Sequence, residues 1–288
     1  MATTDGVAAR TTTPALAGPA RHVRWRGAAR EVLLVLSGVV VYFGVRGFTV
    51  TDAQEALDHA LHLVEFERSL GVYVEPSLQA LVLGSDSLVA VMNWVYIWGH
   101  WPVIAIVLLW LFFMHPAGYR RTRNAMLLSG GVGLLIFAAF PVAPPRLADL
   151  GFIDTVTEHS TAYRVLQPPA FVNQYAAMPS LHVGWDLLMG LAVYTYSRHV
   201  LLRLAGLMLP VLMVSSVVLT ANHYLIDAAG GALLVVASML VVRRFERRRG
   251  RAEPAAVSVT VPQQRASSAP VDDDDRQGRS DPQLSEAS

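Results

Sequence analysis

Cysteine does not occur in the 288-residue chain, which excludes a disulfide framework, a Cys-based zinc or iron–sulfur centre and a thiol nucleophile. Charge is scarce as well. Charged residues make up 16% of the chain against 53% hydrophobic ones, and the mean hydropathy is positive. That is too apolar for an ordinary soluble domain of this length. The formal net charge of +1 identifies no partner, because the charges are segregated along the chain. No nucleic-acid partner is expected.

What is present is a long apolar middle between two polar ends. Residues 1–30 are rich in Thr, Ala, Pro and Gly and turn basic at Arg21, Arg24, Arg26 and Arg30. Lacking the apolar core and cleavage site of a signal peptide, they read as a disordered cytoplasmic tail. Over 250–288, Pro, Ser, Gln and the run Asp272 to Asp275 replace the apolar pattern. That composition buries too little surface to fold and reads as a second solvated tail.

The domain between them, 31–249, holds six apolar stretches near 31–48, 89–113, 124–141, 181–197, 201–220 and 223–242. Each is long enough, or nearly so, to cross a hydrocarbon core of about 30 Å. The fourth is short and carries Asp186. Arginines gather before the first stretch, at Arg120, Arg121 and Arg123, at Arg198 and Arg203, and at Arg243 to Arg251. They mark every second connection, which places both termini in the cytoplasm and 49–88, 142–180 and the turn 220–223 outside the plasma membrane. In the first outer segment Ala56, Leu57, Ala60, Leu61, Val64 and Leu70 recur at helical spacing against Asp58, Glu65 and Glu67. This is the pattern of interfacial helices, or of a lid packed on the bundle. Trp94, Tyr96, Trp98 and Trp101 read as an aromatic belt. The predicted fold is an all-α membrane protein, a six-transmembrane-helix bundle with interfacial helices on the outer side.

Three segments distant in sequence bring polar residues to the same outer depth. Pro141 to Arg146 ends the third stretch, and its prolines stop the helix and stiffen the exit. From there the Arg146 guanidinium can hold a phosphate bidentately, or simply anchor the interface. Pro179, Ser180 and His182 open the fourth stretch, where free first-turn amides make an anion site. Ser180 can donate its hydroxyl and His182 a proton to a leaving oxygen; the plain alternative is a cap beside an interfacial histidine. His223 and Asp227 stand at i, i+4 on one helix face. The aspartate can hold one ring nitrogen and leave the other to attack phosphorus, or the pair can be structural. Together they supply charge neutralisation, leaving-group acid and nucleophile for phosphoryl transfer. The scheme calls for no metal and no cofactor, and the histidines lack zinc-ligand spacing.

These residues resemble the type 2 phosphatidic acid phosphatase superfamily, whose motifs are an arginine segment, Pro-Ser-x-His and His-x-x-x-Asp. The wording Ala-Pro-Pro-Arg at 143–146, Ala-Met-Pro-Ser-Leu-His at 177–182 and Ala-Asn-His-Tyr-Leu-Ile-Asp at 221–227 is similar to the branch containing inositol phosphorylceramide synthases. The resemblance covers about 31–245. It implies His223 as nucleophile, Asp227 as its orienter, His182 as general acid, and Arg146 with Ser180 as phosphate binders. Two positions depart from the family pattern: Ala139 stands where a lysine is usual, and Val217 where an arginine is. Arg164, Asn173, Asn222 and His100 are the candidates to replace those contacts, each with an ordinary structural reading besides. Asp186, one turn from His182, either raises the basicity of that ring or bonds a neighbouring span, the second being preferred.

The departures tilt the expectation from plain hydrolysis toward a head-group phosphotransferase of the inositolphosphotransferase type. Its partners would be a lipid phosphate, water or an alcohol acceptor, and membrane lipids; the oligomeric state stays open. A phosphatidate or polyprenyl pyrophosphate phosphatase is the hydrolytic alternative. A transporter or structural membrane protein is the alternative of another class, for which ionisable residues near the midplane would be expected.

Overall fold

The computed structural model describes residues 25–48, 52–159 and 173–252. Residues 1–24 and 253–288, the greater part of the two tails, and Arg164 lie outside the described residues; the tail ends at 25–30 and 250–252, expected to be disordered, are helical, as the apolar helices beside them run on into them. Every named element within the described residues is helical: α1 (Trp25–Phe48), α2 (Ala53–Ser69), α3 (Glu75–Leu83), α4 (Asp86–Trp98), α5 (Trp101–Met114), α6 (Pro116–Ala139), a 3-10 turn (Pro145–Leu147), α7 (Thr155–His159), α8 (Leu181–Tyr196), α9 (Val200–Leu219) and α10 (Leu225–Ala252).

By length and composition, three helices among the described residues can cross a membrane: Pro116–Ala139, Val200–Leu219 and Leu225–Arg249. A fourth span is counted if α3 and α4 are taken as one, bent by 119°. Six were expected; three or four are found among the described residues. The stretch expected near 89–113 is interrupted at Gly99 and His100, between α4 and α5. The cause is local: Pro102 opens α5, and a proline nitrogen cannot continue the hydrogen-bond ladder of a preceding helix. Arg120, Arg121 and Arg123, read as a connection, lie inside the first turns of α6.

Helix α8 is the hub, packing on α5, α6, α9 and α10. Small residues let the backbones approach, as in membrane bundles generally. A Cβ on Gly206 would stand 2.7 Å from the Gly190 carbonyl, and one on Gly184 would stand 2.7 Å from that of Gly231. A Cβ on Gly231 would run into the Ser180 carbonyl. The first contact sets the middle of α8 on α9, and the other two seat the start of α8 against the start of α10.

Helix α2 lies across the same end. Its Ala56, Ala60, Leu63 and Val64 pack with Val142, Ala143, Ala177 and Tyr224, so in this structure the helix packs on the bundle as a lid would. The polar-face assignment fails at one residue. Glu67 is completely buried, whereas Leu61 and Leu70 are 45% and 57% exposed. The reason is spacing: Glu67 follows Ala60, Leu63 and Val64 at helical intervals and falls on the inward stripe. The aromatic group also divides, with Trp94, Trp98 and Trp101 exposed and Tyr96 buried.

Candidate active site

Backbone hydrogen bonds gather the three segments before any side chain is considered. Val142 N–H donates to the Tyr175 carbonyl (2.7 Å) and Ala177 N–H to that of Val142 (3.2 Å), pairing the exit of α6 with the approach to α8. Ser180 N–H donates to the Asp227 carbonyl (2.9 Å), and Arg146 N–H to that of Ala221 (3.0 Å). Ala221 sits at φ +56° in the turn before His223, a left-handed conformation that side-chain-bearing residues adopt only where the surroundings enforce it. Arg146, Ser180, His182, His223 and Asp227 thereby share one end of the helix bundle.

Arg146 is held on two sides. Its Nε donates to Asn222 Oδ1 (3.1 Å) and its Nη1 to Asp154 Oδ2 (3.0 Å). Asn222 in turn donates to the Thr220 hydroxyl (2.9 Å). Asp154 is fixed by its chain neighbours: Gln79 exchanges hydrogen bonds with the Ile153 backbone, and Asn93 with Thr155. Among the candidate replacements, Asn222 therefore positions the arginine. Asn173 accepts from Tyr175 N–H (2.9 Å) in a local turn.

Ser180 occupies the N-cap position of α8 without making the side-chain cap bond. Its buried hydroxyl has no hydrogen-bond partner among the described residues. The capping use weighed from sequence is thus not realised, and the hydroxyl remains available to a ligand.

His223 Nδ1 stands 3.4 Å from Asp227 Oδ2, close enough to pair but longer than a good hydrogen bond. Asp227 Oδ2 also accepts from Tyr224 N–H (2.9 Å). The His182 ring lies 6.0 Å from that of His223, 5.0 Å from Tyr96 and 4.4 Å from His100. His100 Nδ1 and Asp186 Oδ1 are 2.9 Å apart. Asp186 thus bonds a neighbouring helical segment, the preferred of its two readings, and the pair backs His182 with a second His–Asp couple.

Two positions that depart from the motif pattern differ in setting. Ala139 ends α6 at the exposed margin. Val217 is fully buried beside Tyr96 and Val183, and its carbonyl takes the N–H groups of Asn222 (2.9 Å) and His223 (3.1 Å). All 23 basic residues counted as Lys or Arg are arginine, so no lysine elsewhere can substitute.

Sequence reasoning missed Glu67, Glu75 and Asp154. Glu75 Oε1 accepts from Leu225 N–H (2.9 Å) and Glu67 Oε1 from Ile226 N–H (2.8 Å). With the Asp227 bond to Tyr224, three carboxylates cover three consecutive amides at the start of α10, groups a helix leaves without internal partners. Burial pushes the Glu67 carboxyl from its ordinary 4.5 up to about 8, with the Ile226 amide pulling the other way and Glu75 adding to the rise. Burial, then Asp227, likewise pushes the Tyr224 hydroxyl up. Glu67 was legible as a helical-phase anomaly on the inward stripe of α2; nothing local marked Glu75 or Asp154.

A helical fold with an arginine, a Ser–His segment and a His–Asp pair gathered at one end defines a class of phosphate-handling proteins. The chain belongs to the PAP2 superfamily, whose sequence profile matches residues 61–241. Membership makes it a lipid-phosphate enzyme of the phosphatase or phosphotransferase type. No curated protein and no solved structure matches the chain.

Proposed function

We propose that the protein transfers a phosphoryl-containing group from a lipid phosphate through a phosphohistidine on His223, in the manner of the inositolphosphotransferase branch. The observation carrying this reading is the His223–Asp227 pair at 3.4 Å with the His182 ring 6.0 Å from that of His223. In the first half, His223 Nε2 attacks phosphorus while the bond from phosphorus to the leaving oxygen breaks. His182 gives that oxygen its proton. Asp227 stabilises the charge gained by the imidazole, and Arg146 with Ser180 holds the non-bridging oxygens. In the second half an acceptor oxygen attacks phosphorus, His182 takes its proton, and the bond to His223 breaks.

Loss of the usual lysine and arginine, at Ala139 and Val217, supports transfer to an alcohol over plain hydrolysis. We further propose a six-span bundle in the plasma membrane, with α1, α5 and α8 completing the spans, both termini cytoplasmic and the site outside. The polar cluster at the helix ends, away from mid-helix, favours an enzyme over a transporter.

The test is product analysis by mass spectrometry after incubating purified protein with a panel of lipid phosphates and phospholipids, with and without inositol-type acceptors. An acceptor esterified with the transferred phosphoryl-containing group is expected, together with the lipid alcohol released in the first half. Free phosphate regardless of acceptor would establish the hydrolytic alternative, and unaltered turnover by His223→Ala protein would remove the mechanism.

A further inference from the structure

At the end of the bundle opposite His223, a cavity of about 410 Å³ opens between α6, α8 and α10. Its lining on α10, from Met239 to Arg247, lies about 18–30 Å along the helix from Asp227, at about 1.5 Å per residue. Its volume falls within the range of about 300–1,000 Å³ found for small-molecule sites. None of its lining belongs to the site described above.

The lining is divided by chemistry. Arg121 of α6 and Arg243 and Arg247 of α10 supply three guanidinium groups, against the single carboxylate of Glu246. Arg243 and Arg247 stand at i, i+4 and share one face of α10. Arg121 donates its Nε to Glu246 Oε2, a bond that links the two helices across the opening. Helix α6 begins at Pro116 with no acidic residue in its first turn, so its positive end adds to the field of the arginines. Deeper in, Leu188 and Met239 line apolar walls.

We infer that this cavity binds the phosphate-bearing head group of an anionic membrane lipid in the leaflet opposite the His223 site. A free anion would be served by the basic rim alone. The apolar walls continuing from that rim match a molecule whose phosphate is joined to a hydrocarbon part. Basic pockets between membrane helices take anionic head groups in this way, each guanidinium offering paired donors to phosphate oxygens. The arginines that follow on α10, Arg244, Arg248 and Arg249, extend the attraction over the adjoining surface.

The test uses the purified full chain in neutral detergent, with dioleoylphosphatidylglycerol, dioleoylphosphatidylcholine or inorganic phosphate added separately. Retained lipid is read by native mass spectrometry and stability by Tm. The expected result is retention of phosphatidylglycerol and a Tm rise of at least about 3 °C, with neither produced by phosphatidylcholine or phosphate. Both effects are lost in the Arg121→Gln, Arg243→Gln, Arg247→Gln triple variant. Leu191→Trp, which keeps every charge and puts an indole into the apolar part of the cavity where the hydrocarbon would lie, also loses them and decides the question should the triple variant fail to fold. An undiminished effect in Leu191→Trp, or in a folded triple variant, overturns the site. So does the same rise with phosphatidylcholine, or no effect of phosphatidylglycerol on the unsubstituted chain. An equal rise with inorganic phosphate overturns the lipid assignment in favour of a free-anion site.

Discussion

Glu67 on α2 accepts a hydrogen bond from the backbone N–H of Ile226 at 2.8 Å, joining residues 159 positions apart. That bond ties the helix overlying the site to the first turn of the helix carrying Asp227. It also sets a pH dependence. The folded chain holds the Glu67 proton up to about 8, whereas an unfolded chain releases it near the ordinary 4.5. Between those values the folded state carries the extra proton, so this group's contribution to stability is greatest in acid and falls as pH rises through the window, by at most about 1.4 kcal/mol per unit. Glu67→Gln, which keeps an acceptor and cannot titrate, is expected to flatten the fall in Tm between about pH 5 and 8. Glu67→Ala leaves the Ile226 amide buried without its partner, at a cost of about 1–3 kcal/mol. Thermal unfolding in detergent across that pH range measures both.

The His223–Asp227 pair gives the sharpest test of catalysis. Asp227→Asn keeps the shape and removes the charge that would stabilise an imidazolium or phosphoimidazole. Turnover is expected to fall about 10³- to 10⁴-fold, as when the carboxylate orienting a catalytic histidine is replaced elsewhere. Steady-state kinetics of the purified variant would show it, and a fall of less than tenfold would make the aspartate structural.

Ser180 separates capping from ligand binding. Replacing a serine that caps a helix normally costs about 0.5–2 kcal/mol. The Ser180 hydroxyl makes no cap bond, so Ser180→Ala should leave Tm almost unchanged while raising KM or lowering kcat. A large loss of stability with normal kinetics would point to a cap in solution.

Gly231 tests how the site is closed from behind. A methyl group there meets the Ser180 carbonyl, forcing α8 and α10 apart at the point where Ser180 N–H bonds Asp227. Gly231→Ala is expected to lower stability by about 1–3 kcal/mol, the usual cost of overpacking, and to lower activity as well. Gly131→Ala, where a Cβ has open space, is the control and should be close to neutral.

What the sequence by itself determined is whatever the geometry of a single helix dictates. His223 and Asp227 share a face because residues four apart in a helix always do. The helical character of α6, α9 and α10 follows from their apolar runs, and the start of α8 at Leu181 follows from Pro179 and Ser180. The inward position of Glu67 obeys the same rule, and was legible in the phase of α2. Partners across the chain were not legible, because nothing local records which helix another will pack against. That Asp186 meets His100, that Arg146 meets Asp154, and that Glu67 and Glu75 cover the start of α10 depends on tertiary packing alone. A buried carboxylate or guanidinium must find a partner, but its identity is decided by the close glycine contacts that set α8 against α9 and α10, and by the turns that bring α2 and α3 over the end of the bundle. The candidate nucleophile was therefore readable as a pair, and its supporting shell only as a structure.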